Sequence, residues 1–136
     1  MNGMTSNVKT VVRFVSTMIL LFGIYVMLHG EASPGGGFSG GVILASSFVL
    51  FTIAFGRNVA TQRVSMAAAE VLLSIGALLF LMAALPNFVG GLTMGGLAFR
   101  AALYLENLGI GLLVSAGLFI VFMSLASYRV KTDREK

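Results

Sequence analysis

The sequence predicts an all-α integral membrane protein of four transmembrane helices, a single domain over residues 1–136, with both termini cytoplasmic. Three observations carry that prediction. Of the 136 residues, 57% are hydrophobic and only 10% charged, outside the range of soluble globular chains. Four long apolar runs, at 14–29, 38–55, 64–85 and 108–127, approach or reach the ~20 residues that cross a bilayer as helix. The basic residues sit between and beyond those runs, with a bias that suits an even number of crossings.

The first run follows a polar tail carrying Lys9 and Arg13, and Val11 and Val12 lengthen it. A basic start, an apolar run and Gly30-Glu31-Ala32 also resemble a signal peptide with its cleavage site. Three further spans follow, so an uncleaved first helix is the better reading. The second run carries Gly41, Ala45, Thr52 and Gly56 near one face, the small-residue pattern that lets membrane helices approach closely. A polar link, 57–63, has an arginine at each end. The third run contains Glu70, and Pro86-Asn87 is expected to end it. Residues 88–104, with two glycine pairs and Arg100, read as a loop or re-entrant segment lying against the membrane interface or a partner. Glu106-Asn107 then opens the fourth run, Asn107 as its N-cap. Arg100 and Glu106 are candidates for a charge pair at the outer interface. Tyr128 and Arg129 close the fourth run before a basic tail, which favours contact with anionic membrane lipid.

Counting charges orients the chain. Lys9, Arg13, Arg57, Arg63, Arg129, Lys131, Arg134 and Lys136 fall in the tails and the second link, whereas the first and third links hold only Arg100. Basic segments stay on the cytoplasmic side. The first link therefore faces outward.

Composition also excludes function classes. The chain has no cysteine and one histidine, so it offers no disulfide, no iron–sulfur ligands and no metal centre of its own. No cofactor is expected. The net charge of +4 and pI near 10 reflect cations at the ends of apolar runs instead of a stripe, so nucleic acid is excluded as a partner.

The first link is the most informative stretch. From His29 to Gly41 it holds the only histidine, one of two prolines and one of five acids. Pro34 pushes Ser33 to an extended conformation, and Gly35, Gly36 and Gly37 allow positive φ and close backbone approach. The segment is a shaped turn. It lacks the Gly-Lys-Ser/Thr ending of a phosphate-binding loop.

The string from Ile24 to Gly41, Ile-Tyr-Val-Met-Leu-His-Gly-x-x-Ser-Pro-Gly-Gly-Gly-Phe-x-Gly-Gly, resembles the B subunit of Mrp-type multisubunit Na+/H+ antiporters, the MnhB family. Its homologues also occur in membrane-bound hydrogenases and related complexes. The resemblance implies a non-enzymatic accessory subunit in the cell membrane. It would assemble with other antiporter-module subunits that move Na+ and H+, the ion-pumping machinery lying mainly in larger partners. It further implies that the motif residues Pro34, Gly35, Gly36, Gly37, Phe38, Gly40 and Gly41 serve assembly, with Phe38 anchoring the turn against an adjacent helix or subunit.

Two residues are candidates for an ion path. Glu70 lies within a span, where an acid is costly and commonly faces protein or water, and burial disfavours its charged form, which suits proton relay. Ala67, Ser74 and Ala77 share its face. The structural alternative is an acid held by Arg57, Arg63 or a neighbouring subunit. His29 invites a proton-transfer reading, because histidine side chains as a class change charge near neutral pH, but capping the carbonyls at the end of the first helix is its simpler role. Glu31 reads as a solvated loop carboxylate. Two other functions fit the chain less closely: the same subunit within a hydrogenase or ferredoxin-driven respiratory complex, and a stand-alone four-helix exporter. Exporters of that kind place their acid in the first span, which here has none.

Overall fold

The computed structural model describes residues 5–30, 35–90 and 96–136. All regular structure among them is helical: α1 (Ser6–Leu28), α2 (Gly36–Phe55), the short α3 (Arg57–Arg63), α4 (Met66–Gly90) and α5 (Leu97–Arg134). Four of these, α3 excepted, are long and apolar enough to cross a membrane. At 1.5 Å per residue, α1, α2 and α4 are about 30–37 Å long and α5 about 57 Å, so α5 exceeds a hydrocarbon core of ~30 Å.

The helices form a layer in the order α1, α2, α5, α4. α1 packs on α2, α2 on α5 and α5 on α4. The two edge helices therefore leave most of their surface uncovered, with Phe14, Phe22, Val71 and Leu78 each more than half exposed. The expected small face of the second span lies inside: Gly41, Ala45, Thr52 and Gly56 are all buried. The core sits toward the end where α1 begins and α5 finishes. Phe119 and Met123 of α5 pack with Ala69 of α4, and Phe48 of α2 meets Phe119 edge-on at 5.9 Å between ring centroids.

Several boundaries differ from those the sequence predicts. α1 begins at Ser6 instead of residue 14, because Lys9 and Arg13 are tolerated in its first turns. The link 57–63 is helix α3, begun at Gly56, whose φ of 88° lets the chain reverse. Ser65 then caps α4, its Oγ accepting the Ala68 N–H at 3.1 Å. Pro86 does not end the third span. It lies inside α4, which runs on to Gly90, since a proline this near a helix end disturbs only the last turn. The expected loop 88–104 is mostly helix too, with α5 already helical from Leu97. Asn107 is consequently eleven residues into α5 and does not cap it.

Candidate functional site

The turn between α1 and α2 is built on Asn107. α2 begins with glycines, and its N-cap, Gly35, makes no side-chain cap bond, so the first amides of the helix need an acceptor from elsewhere. Asn107 supplies it: the Gly37 N–H donates to Asn107 Oδ1 at 3.2 Å. The surrounding glycines make room for that carboxamide. A Cβ on Gly30 would stand 2.8 Å from Asn107 Nδ2, and one on Gly37 would overlap the Asn107 backbone. Gly36 has φ +69°, a conformation that side-chain-bearing residues rarely adopt. Pro34 and Glu31 lie outside the described residues.

The glycine seam continues down both sides of α2. A Cβ on Gly40 would come within 2.8–3.0 Å of Met27 and the Gly23 carbonyl, and one on Gly41 within 2.8 Å of the Gly111 carbonyl. Between α4 and α5, Gly76 and Gly109 pack backbone to backbone in the same way. Gly35 is exposed, whereas Gly36, Gly37, Gly40 and Gly41 are buried.

His29 is the C-cap of α1. Its backbone N–H donates to the Tyr25 carbonyl at 3.0 Å, and its Nδ1 lies 3.0 Å from the same oxygen. A carbonyl only accepts, so Nδ1 carries the proton in this contact. The ring stacks on Tyr25 at 4.2 Å. The capping geometry is thus in place. Phe38 is 64% exposed, so its ring does not anchor the turn against another helix of this chain.

Glu70 lies near the start of α4, on the face turned away from α5. It is exposed, as are Ala67 and Ser74, and Ala77 is half-buried. Ser74 Oγ donates to the Glu70 carbonyl at 2.9 Å. Among the described residues its carboxylate has no ion pair, so the structural alternative is not met by Arg57 or Arg63 within this chain. His29 and Glu70 are not brought together. They stand on opposite edges of the layer, near opposite ends. Arg100 and Glu106 lie on one continuous helix six residues apart, which puts them on different faces.

Sequence reading missed Asn107 as the centre of the turn. A carboxamide immediately before the fourth apolar run is the only signal that marks it.

Residues 7–128 match the family model described as "Domain related to MnhB subunit of Na+/H+ antiporter". The chain belongs to the MnhB family. Among similar curated proteins, the "Putative antiporter subunit mnhB2" of Staphylococcus saprophyticus is 40% identical over 83 residues. Its namesake in Staphylococcus aureus strain Newman is 37% identical over 83 residues. Each match covers 60% of this chain and 58% of the relative, so the chain spans somewhat under three fifths of those proteins. Family membership and four apolar helices make this MnhB-family chain a multi-pass membrane protein.

Proposed function

We propose that this MnhB-family chain is an accessory, non-enzymatic subunit of a multisubunit Na+/H+ antiporter in the cell membrane. The observation that carries the proposal is the family match across nearly the whole chain. The geometry supports it. A layer of helices with two uncovered edges is suited to being completed by other antiporter subunits, and the exposed Phe38, Phe88 and Leu97 offer apolar contacts at the end of the layer that bears the glycine turn. The start of α1, the end of α5 and the whole of α3 lie at the other end, with eight of the nine basic residues; that end is the cytoplasmic one.

In this reading the turn on Asn107 fixes α2 against α5 and so sets the shape that the partners receive. Glu70 faces a partner from the outer side of α4, where a carboxyl at membrane depth needs protein or water around it. There it lines the ion path, and Ser74 and Ala67 leave room beside it. His29 shapes the turn through its cap.

The test is Na+-dependent proton exchange in everted membrane vesicles from a host lacking its own antiporters. Co-expression of the whole subunit set should give exchange, and omission of this chain should abolish it. Full exchange without this chain would overturn the proposal.

A further inference from the structure

α1 and α5 flank α2 and touch one another little, leaving a cavity of about 430 Å³ between them with α2 as its floor. That volume lies within the range of small-ligand sites. α3 closes the end near the termini, and there the cavity is cationic. Arg13 of α1 lies 5.5 Å from the ring centroid of Phe55, and Arg63, the last residue of α3, lies 5.8 Å from that of Phe51. The two rings stack on one another at 4.4 Å, so one aromatic pair holds both guanidinium groups. Among the described residues neither has an ion pair.

The rest of the lining restricts what can bind. Ser47 Oγ donates to the Ser16 carbonyl at 2.6 Å, Ser16 Oγ to the Arg13 carbonyl at 3.2 Å and Thr52 Oγ1 to the Phe48 carbonyl at 2.8 Å. Their protons are already engaged. The donors left to a ligand are those of the two arginines, which suit the oxygens of a phosphate. Away from the arginines the walls turn apolar, with Leu20 and Phe119, and Leu20 is about 10 Å further along α1 than Arg13.

We propose that this cavity is a binding site for an anionic phospholipid, its phosphodiester held between Arg13 and Arg63 and an acyl chain running along Leu20 and Phe119. A basic pocket between helices at a membrane surface is suited to such a headgroup. A partner's carboxylate would satisfy the arginines alone and make no use of the apolar depth.

The experiment is native mass spectrometry of the chain in neutral detergent with added phosphatidylglycerol. Arg13→Gln and Arg63→Gln should each weaken retention about tenfold, the scale of one charge-assisted hydrogen bond. The tail variant Arg129→Gln/Arg134→Gln should change it less than about twofold, since neither of those arginines lines the cavity. Millimolar inorganic phosphate should not displace the lipid. On the unaltered chain, phosphatidylglycerol with a photoreactive acyl chain should label peptides containing Leu20 and Phe119. Equal weakening by the tail variant, displacement by free phosphate, or labelling spread over all exposed faces would each overturn the proposal. So would exclusion of the lipid from the assembled complex by a partner's acid cross-linked to Arg13 or Arg63.

Discussion

Asn107 Oδ1 accepts the backbone N–H of Gly37 from seventy residues further along the chain. One side chain in the first third of α5 thereby does for α2 what a residue preceding it would ordinarily do. The expected cost of losing such a cap is about 1 kcal/mol. Asn107→Leu, which keeps the size but offers no acceptor, should lower the resistance of the detergent-solubilised chain to denaturant by about that amount. Unchanged resistance would show that water or another group serves the Gly37 amide equally well.

The glycines of the seam should differ sharply in tolerance. A Cβ on Gly37 overlaps the Asn107 backbone, whereas one on Gly117 meets only Leu73 at an ordinary 3.5 Å. Gly37→Ala should therefore destabilise by about 1–3 kcal/mol, the scale of overpacking, and reduce recovery of the intact complex; Gly117→Ala should leave recovery unchanged. Gly36→Val joins the first class through its positive φ. Equal recovery of Gly37→Ala and Gly117→Ala would mean that α2 and α5 can separate without consequence.

Phe38 makes a complementary case. Because it is 64% exposed on this chain, Phe38→Ala should leave the stability of the isolated chain within about 0.5 kcal/mol, as for surface substitutions generally. Its effect should instead appear as lower recovery of partner subunits in pull-downs. Loss of the isolated chain's stability with normal assembly would reverse the assignment.

Glu70→Gln removes the charge and keeps the shape. Cation-dependent proton exchange should fall while the complex still assembles, and rates in vesicles normalised to complex content would show it. Undiminished exchange would take Glu70 off the ion path and leave it a structural acid.

The four spans were legible because long apolar runs with at most one charge admit few other structures in a membrane protein, and the small face of α2 was legible from its spacing. The ends were not. Pro86 and the glycine pairs after it are local stop signals, yet α4 continues past the proline and α5 is helical ten residues before Asn107. Asn107 itself shows why. Glu106-Asn107 ahead of an apolar run looks the same whether the asparagine caps its own helix or reaches across to another, and only the packing of α2 on α5 decides between them. The seven-residue α3 has no apolar run to announce it, and the Arg13–Phe55 and Arg63–Phe51 contacts join residues that no spacing rule connects.

The most direct measurement is mass spectrometry of what co-purifies with this chain when it carries a C-terminal tag and the membrane is extracted in mild detergent. An antiporter subunit should bring down large antiporter-type membrane subunits, without iron–sulfur or hydrogenase proteins. Recovery of the chain with hydrogenase-type proteins, or only with further copies of itself, would contradict its place in a Na+/H+ antiporter.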